Sequence, residues 1–294
     1  MTRGWVAIQR NLHSGTGRRA AELRSLVARL KELGFRPRLF ARREAFDRWM
    51  GDRTGDDRPD CLVAAGGDGT VADLLNRYPG HRLAILPLGT ENVLAKHLRI
   101  SRSGRSLAEL IGAGVTRRFD LGLVGDRRFI LMASCGFDAD IAHRVDKRRR
   151  GHISKLTYGL PVLEALCRYP HHPLRVFVDD QPVPRTARLV VVSNVPAYAL
   201  RLKIGRSASP EDGRFDVTLF GRGSTFQMLR YLYKVARGTH ERLSDVEIVR
   251  ATRVRIESDQ PVPVQVDGDP GGMTPVELAV LPAAVDLLVP GEHD

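Results

Sequence analysis

A short apolar run followed directly by a glycine-rich turn is the feature that most limits what this chain can fold into. Residues 61–65, Cys-Leu-Val-Ala-Ala, have the length and composition of a fully buried strand. Residues 66–70, Gly-Gly-Asp-Gly-Thr, follow at once, and residues 70–77 have the pattern of a helix. A buried strand that turns through glycines into a helix is typical of a parallel α/β sheet, with ligand loops at the carboxyl ends of its strands.

The first 120 residues repeat this alternation. Apolar runs at 6–8 and 83–88 each lead into a glycine-containing turn, at 11–17 and 89–92, and each turn opens a helix. A helix at 18–33, a strand at 36–40 and a helix at 44–50 complete the expected elements. The sequence therefore predicts an N-terminal α/β domain built on a parallel sheet.

From about Asp120 the apolar pattern changes to short alternating segments, separated by Gly, Pro and Asp turns. This change predicts an antiparallel β-sandwich that begins without a flexible linker. Two helices, at 154–169 and 225–237, interrupt the strands. The expected strands are residues 128–133, 174–178, 187–193, 215–220, 247–251, 253–257, 264–266 and 276–280.

The chain is strongly basic, with a net charge of +12 and a pI near 10.2. Such a protein attracts nucleic acid, nucleotides or an anionic membrane surface. A general preference for arginine explains the same composition, because only six lysines occur. A local cluster is more informative, and we expect it to be a mobile exposed loop or a helix end: Arg144, Lys147, Arg148, Arg149 and Arg150. A plain solvated surface and docking on acidic lipid headgroups are the two interpretations of this cluster.

Cysteine content and hydropathy bear on the compartment. Cys61, Cys135 and Cys167 are odd in number and far apart, which favours a reducing cytosol and disfavours structural zinc. No apolar run approaches the roughly 20 residues that a membrane-spanning helix needs. No aromatic-rich basic motif accompanies the charge, so we expect no nucleic-acid partner.

The glycine turn has the chemistry of a phosphate-binding loop. Glycine brings backbone N–H groups close to a ligand, and the helix that follows favours an anion at its N-terminus. Asp68 inside the loop is unfavourable beside an anion unless it binds a metal or takes a proton. Neither the P-loop motif nor the Rossmann Gly-x-Gly-x-x-Gly motif is present. A tight turn without a ligand is the alternative.

Several further motifs resemble those of the diacylglycerol kinase catalytic superfamily, which includes bacterial lipid kinases and sphingosine kinases. Residues 66–70 match its Gly-Gly-Asp-Gly-Thr signature, and residues 86–92 are similar to Leu-Pro-x-Gly-Thr-x-Asn. The motifs occur in the family's order over nearly the whole chain. The others are residues 11–15 (Asn-Leu-His-Ser-Gly), 136–139 (Gly-Phe-Asp-Ala), 212–217 (Asp-Gly-Arg-Phe-Asp-Val) and 266–269 (Val-Asp-Gly-Asp).

The resemblance implies a fold and a reaction. The fold is a Rossmann-like, phosphofructokinase-like α/β domain at 1–120, rejoined by residues 286–294, and a β-sandwich at 121–285, with a cleft between them. The reaction is transfer of the γ-phosphoryl group of ATP, with Mg²⁺, to diacylglycerol or a related lipid alcohol. The enzyme would be cytoplasmic and peripheral to the inner face of an anionic membrane, with a homodimer left open.

The same resemblance assigns the site residues. Asp68 acts in the reaction through magnesium or directly, and the pair Asp267 and Asp269 presents the general base. A structural Mg²⁺ or Ca²⁺ binds Asp212 and the carbonyls of Ser209 and Arg214. The expected contacts to ATP are Asn11, Ser14, Gly66, Gly67, Asp68, Gly69, Thr70, Thr90 and Asn92.

Alternatives remain open at each site. Asp-Gly is a common hairpin dipeptide, so residues 267–268 also read as a plain turn, as do residues 212–213. Asp269 stands where the family usually has glutamate, Val93 where many members have aspartate, and residues 199–203 are bulky where small glycines are common. These departures keep two other functions open: a non-catalytic binder of nucleotide or anionic lipid, and a soluble NAD-kinase-like enzyme.

Overall fold

The computed structural model describes residues 3–11, 18–53, 55–148, 159–198 and 202–291. The chain divides into two compact units, Met1–Phe119 with Ala283–Asp294, and Asp120–Pro282. The predicted fold class is confirmed in each. The first unit is an α/β fold on a parallel sheet, and the second is an antiparallel β-sandwich.

The first unit is built as the strand and helix alternation predicts. Its strands pair in parallel in the order β2-β1-β3-β4. Fully buried side chains from strands and helices form its core, among them Ile8, Leu26, Val63 and Leu86. The elements are β1 (Trp5–Arg10), α1 (Arg18–Glu32), β2 (Arg36–Phe40), α2 (Arg43–Gly51), β3 (Cys61–Gly66), α3 (Asp68–Arg77), β4 (Leu83–Pro87), α4 (Val93–His97) and α5 (Gly104–Ala113).

The second unit holds the antiparallel strands and three α-helices among its described residues. Two elements cross the boundary: β5 begins in the first unit, and β16 ends there, where its Leu287 pairs in parallel with Leu83 of β4. The elements are β5 (Thr116–Val124), β6 (Arg127–Phe129), β7 (Met132–Gly136), α6 (Phe137–Lys147), α7 (Gly159–Arg168), β8 (Arg175–Val178), β9 (Gln181–Pro182), β10 (Leu189–Ser193), β11 (Phe215–Phe220), α8 (Thr225–Ala236), β12 (Val246–Ala251), β13 (Arg253–Glu257), β14 (Pro263–Val266), β15 (Asp269–Met273) and β16 (Val276–Leu288).

Two antiparallel sheets make this unit a sandwich. One has the order β12-β11-β10-β7-β14-β15, and the other joins the first part of β16 to β13, β8 and β9. A single apolar core contains side chains of both sheets, such as Val190 and Val217 from one and Val254 and Ile256 from the other. The sheets therefore pack face to face, as alternating inward-facing residues require.

Four features differ from the sequence predictions. Helix α3 begins at Asp68, inside the glycine turn, and not at Thr70. The strand expected at 128–133 is two strands, β6 and β7, because a side-chain carboxylate takes the N–H groups between them. The strand expected at 276–280 continues to Leu288. Strands β5, β9 and β15 and helices α5 and α6 were not predicted, although Ser103 caps α5 and left-handed Gly114 ends it.

The predicted helix at 154–169 lies partly outside the described residues, and its described part is α7. Within the described residues, no helix combines the length and the apolar character needed to cross a membrane.

Candidate functional site

The turns after β3 and β4 lie against each other through glycine backbones. A Cβ on Gly89 would be 2.5 Å from the Gly67 Cα, and a Cβ on Gly66 would be 2.1 Å from Thr70 Oγ1. Real Cβ atoms do not come this close to other heavy atoms, so both positions require glycine. Gly69 differs, since a Cβ there would meet nothing within 4 Å.

The start of α3 presents free backbone donors. The Thr70 and Val71 N–H groups donate to Gly67 O, over 2.9 and 3.3 Å. The N–H groups of Gly67 and Gly69 have no acceptor among the described residues. Free donors and the positive end of a helix dipole together favour an anion such as phosphate, and the open space at Gly69 leaves room for it.

The Asp68 carboxylate links the two turns. Its Oδ2 accepts the Val93 N–H over 2.9 Å and its Oδ1 accepts the Leu94 N–H over 3.1 Å, so it caps the start of α4. Burial raises the pKa of the Asp68 carboxyl, and the backbone hydrogen bonds from Val93, Leu94 and Asp68 itself partly offset that rise. Three N–H donors do not use all four lone-pair positions of a carboxylate, so one remains for a cation or a proton.

Asn92 shapes the second turn. Its backbone is left-handed (φ 49°), and its Nδ2 donates to Gly89 O over 2.8 Å. Its buried Oδ1 has no hydrogen-bond partner within the described part of the chain. A half-buried carboxylate at Asp68 and an orphaned amide oxygen at Asn92 are hard oxygen donors, so the residues present fit a magnesium ion that arrives with a nucleotide.

The other predicted nucleotide contacts have mixed positions. Asn11 follows β1, and its Nδ2 donates to Thr70 Oγ1 over 3.4 Å, so Asn11 lies at the glycine turn. Thr90 is exposed in the turn after β4. Ser14 lies outside the described residues. These assignments stay predictions.

In the second unit, residues 267 and 268 form the turn between β14 and β15. Asp267 (φ 51°) and Gly268 (φ 87°) are both left-handed, as a two-residue hairpin turn of type I′ requires. The Asp267 carboxylate accepts backbone N–H groups over 2.9 to 3.0 Å, which occupies both of its oxygens: Ile130, Leu131 and Met132. This carboxylate holds the β6–β7 junction against the hairpin, which supports the plain-turn reading for Asp267.

Asp269 is the exposed member of the pair. Its side chain is 46% exposed at the start of β15, so solvent reaches the carboxylate. The Arg127 guanidinium holds the hairpin beside it, donating to Val266 O and Pro270 O over 2.9 Å each. It also lies 3.5 Å from Asp269 Oδ2. Of the two candidate bases, the geometry favours Asp269.

A half-buried carboxylate that the sequence analysis left without a role lies next to this hairpin. Asp138, at the start of α6, accepts hydrogen bonds from Ser134 Oγ (2.6 Å), from Gln265 Nε2 (3.3 Å) and from the Tyr198 hydroxyl. Gln265 Oε1 in turn accepts the Gly268 N–H over 2.7 Å. Burial raises the pKa of the Asp138 carboxyl, against these hydrogen bonds. The Gly-Phe-Asp-Ala motif drew attention to Asp138 in the sequence, but it did not reveal the hydrogen bonds that link Asp138 through Gln265 to the hairpin.

The loop expected to hold a structural metal contains competing contacts. Asp212 Oδ1 accepts the Arg214 N–H over 3.1 Å, and Oδ2 pairs with the Arg250 guanidinium. Asp120 Oδ2 accepts the Gly213 N–H over 2.7 Å. Within the described residues, no group of three or more His, Cys, Asp or Glu side chains could hold a metal ion. A guanidinium already neutralises Asp212, so these residues do not fit the metal; Ser209, Asp212 and Arg214 remain a prediction without support from the contacts.

The described part of the basic cluster is a helix end and not a free loop. Arg144 pairs with Asp140 on α6 over 2.6 Å, and Arg148 pairs with Glu164 on α7 over 2.6 Å. Glu164 also lies 3.6 Å from Arg144. These two arginines are thus partly neutralised within the protein. Arg149 and Arg150 lie outside the described residues.

Two protein families match this chain in succession. The diacylglycerol kinase catalytic domain matches residues 6–124, and the YegS C-terminal NAD kinase beta sandwich-like domain matches residues 132–289. The second match alone covers more than half of the chain. Together they span the glycine turn, the hairpin at 267–268 and the elements that carry them.

Individual proteins are similar over nearly the same length. A diacylglycerol kinase of Mycobacterium tuberculosis is 28% identical over 98% of this chain and 96% of its own. A diacylglycerol kinase of Bacillus subtilis is 26% identical over 79% of this chain and 78% of its own. A solved diacylglycerol kinase structure from Bacillus anthracis has a TM-score of 0.72 at 17% identity, covering 98% of this chain and 97% of that one. The last shows a shared fold.

Proposed function

This chain belongs to the diacylglycerol kinase catalytic superfamily, and on that premise we propose that it transfers the γ-phosphoryl group of MgATP to the hydroxyl of a lipid alcohol, with diacylglycerol as the leading acceptor. The observation that carries the proposal is the turn at 66–70, where free N–H groups and a half-buried carboxylate adjoin open space. Phosphoryl transfer depends on positioning and charge neutralisation, which such a turn supplies.

On the nucleotide side, each group has a separate task. The Gly67 and Gly69 N–H groups donate to phosphate oxygens, and the α3 dipole favours their negative charge. Asp68, held in place by the Val93 and Leu94 N–H groups, and the Asn92 amide oxygen would hold the magnesium ion of the substrate. That ion supplies neutralisation of charge on the phosphates.

On the acceptor side, Asp269 takes the hydroxyl proton. The lipid oxygen forms a bond to the γ-phosphorus, the bond from that phosphorus to the bridging oxygen of ADP breaks, and the proton passes to the Asp269 carboxylate. Arg127 and the network of Asp138 and Gln265 fix the hairpin that presents this carboxylate. Asp267 serves the hairpin through its three backbone contacts.

We place the reaction on the cytoplasmic face of a membrane, where the enzyme acts as a peripheral protein. The net charge of +12 attracts an anionic surface, and the acceptor is itself a membrane lipid. A nucleic-acid partner has no motif in its favour.

One assay tests the proposal. Purified protein is incubated with magnesium, ATP and a panel of lipid alcohols in mixed micelles, and phosphorylated products are separated. We expect phosphatidic acid from diacylglycerol, and no product when magnesium is removed. No product from any lipid, with ATP binding retained, would leave the non-catalytic reading in place.

A soluble NAD-kinase-like activity is the second candidate, favoured by the description of the family that matches residues 132–289. Turn residues 89–92, Gly-Thr-Glu-Asn, resemble the lipid-kinase pattern and speak against it. Including NAD in the same panel decides between the two, because NADP would form only under the second.

A further inference from the structure

Helix α8 is apolar on two opposite faces. Met228, Tyr231 and Val235 are buried against the second unit. The opposite face is exposed to solvent, although its side chains are large and apolar: Phe226 (72% exposed), Leu229 (47%), Leu232 (51%) and Tyr233 (59%). Spacings of three, four and seven residues place these side chains together along one side of the helix. We call Phe226, Leu229, Leu232 and Tyr233 the outer face of α8.

Positive charge borders this outer face. Helix α8, with the sequence Thr-Phe-Gln-Met-Leu-Arg-Tyr-Leu-Tyr-Lys-Val-Ala, contains no acidic residue. Lys234 directly follows Tyr233 in the sequence, and Arg237 lies four residues after Tyr233. Both are on one flank of the outer face, and neither forms an ion pair among the described residues. Arg230, on the same flank, is paired with Asp245 over 2.8 Å.

Solvent alone does not account for this arrangement. An isolated exposed leucine is ordinary, but four large apolar side chains on one helix face form a contiguous patch. A helix with Phe, Leu and Tyr on one side and Lys and Arg at its border has the composition of a helix that lies in a membrane interface. The apolar side chains enter the acyl boundary while the cations reach the headgroups.

A second copy of the chain fits the outer face less well. A helix of twelve residues is about 18 Å long, so one face offers on the order of 200 Å². A stable interface needs about 800 Å² from each partner. Two copies that each carry a net charge of +12 also repel each other, whereas an anionic bilayer attracts both.

We propose that the outer face of α8 docks the protein on an anionic lipid bilayer, with Phe226, Leu229, Leu232 and Tyr233 inserted and Lys234 and Arg237 at the headgroups. The proposal deepens the proposed function, on which it rests for the lipid nature of the substrate. It also replaces the residue 144–150 cluster as the leading docking element, because Arg144 and Arg148 are paired with Asp140 and Glu164.

The test is co-sedimentation of the full chain with vesicles of equimolar phosphatidylglycerol and phosphatidylcholine, without nucleotide. We expect the double variant Phe226→Gln, Leu229→Gln to reduce the partition coefficient about tenfold or more, because two apolar side chains are lost from the interface. The matched control is Leu39→Gln, Val115→Gln, which replaces two exposed apolar side chains of the first unit (44% and 45% exposed) with the same polar residue. It should change binding by less than about twofold.

A second variant, Lys234→Gln, Arg237→Gln, tests the charge. It should weaken binding to these vesicles and leave the weak binding to pure phosphatidylcholine unchanged. Equal binding by wild type and by both double variants overturns the proposal. A wild-type dimer that becomes monomeric in Phe226→Gln, Leu229→Gln, with vesicle binding unchanged, overturns it in favour of a second copy.

Activity separates this proposal from the proposed function. With a water-soluble short-chain diacylglycerol, Phe226→Gln, Leu229→Gln should keep wild-type turnover, and with long-chain diacylglycerol in vesicles it should lose it in proportion to binding. Vesicle binding that depends on α8, without phosphorylation of any lipid, contradicts the kinase proposal alone. Phosphorylation with binding independent of α8 contradicts the docking proposal alone.

Discussion

At the scale of single residues, two aspartates that look alike in sequence have different surroundings. Asp267 gives both oxygens to backbone N–H groups, whereas the Asp269 side chain is nearly half exposed beside Arg127. The Asp-Gly dipeptide predicted a hairpin turn, and the structure confirms it. The contact from Asp267 to residues 130–132 spans more than 130 positions, so no local pattern could reveal it.

Replacing Asp269 should affect catalysis and leave stability nearly unchanged. In Asp269→Ala the proposed proton acceptor is lost, and we expect turnover to fall about 100-fold or more. The melting temperature should stay close to that of wild type, because the side chain is partly exposed. Asp259→Ala, an exposed carboxylate paired with Arg175, is the control and should keep full turnover. Wild-type turnover in Asp269→Ala would remove it as the base.

Replacing Asp267 should have the opposite effect. Asp267→Ala leaves three backbone N–H groups without their acceptor, and each hydrogen bond to a charged group is worth about 1.5–3 kcal/mol. Since these terms overlap, we expect unfolding in urea to show a loss of about 3 kcal/mol. A variant as stable as wild type would show that the hairpin does not need this carboxylate.

Asp68 has a structural role, since it caps the start of α4, and a proposed catalytic role. A substitution that tests catalysis therefore has to preserve a hydrogen bond to α4. In Asp68→Asn the amide oxygen still accepts one N–H from α4, and the loss of stability should be about 1 kcal/mol. Turnover should fall about 100-fold or more because the charge is gone. Asp73→Asn, also on α3, is the matched control. Near-normal turnover in Asp68→Asn contradicts the role proposed for Asp68.

At the scale of elements, the sequence predicted the helices and strands that short-range patterns define. It missed the helices and boundaries that depend on long-range contacts. Strands β2, β11 and β13 have the predicted bounds, because apolar runs and turn residues define them locally. Helix α3 starts two residues early, since Gly67 in an extended conformation lets Asp68 take the first helical position. Helix α6 was not predicted because polar residues interrupt its apolar spacing. Two of these residues contact Glu164 and the hairpin: Arg144 and Asp138.

At the start of α3, one substitution can distinguish an effect on protein stability from an effect on nucleotide binding. A methyl group on Gly69 meets nothing within 4 Å in the protein, so Gly69→Ala should fold with unchanged or slightly higher stability. If phosphate occupies that space, the methyl group should raise the KM for ATP about tenfold or more. Gly51→Ala, a helical glycine also without neighbours, is the control and should leave KM unchanged. An unchanged KM in Gly69→Ala places the phosphate elsewhere.

A buried histidine predicts acid sensitivity in the second unit. The His171 ring stacks on Phe137, and neither ring nitrogen has a partner among the described residues. Burial lowers the pKa of His171, and the positive charge of Arg188 lowers it further. The imidazole of the unfolded chain has a pKa near 6.5, whereas the imidazole of the folded chain takes up a proton only at lower pH. The free energy of unfolding therefore decreases as the pH falls below about 6.5. His171→Asn, which tolerates the left-handed backbone (φ 51°), should show a smaller loss between pH 7 and pH 5 in urea unfolding. Equal slopes in both proteins exclude His171 as the cause.

At the scale of the whole molecule, composition predicted the attraction to anions but not where it acts. The charge of +12 is a sum over the chain, and many of the arginines that form it are paired, as Arg77 is with Asp47 and Asp73. Attraction to an anionic surface and docking through residues 144–150 both stay predictions. The exposure of the apolar side chains on α8 could not be read from the composition, and it points to a second candidate surface.

The long-range field makes a prediction that does not depend on any one residue. Screening shortens from about 10 Å in 0.1 M salt to about 3 Å in 1 M salt, so attraction of a protein of charge +12 to an anionic bilayer weakens steeply over that range. We expect turnover on long-chain diacylglycerol in phosphatidylglycerol vesicles to fall about tenfold or more between these salt concentrations. Turnover on a water-soluble short-chain diacylglycerol serves as the control, because salt acts on it only through ATP binding. A parallel decline of both rates would assign the salt effect to the nucleotide side and contradict electrostatic attraction to the membrane.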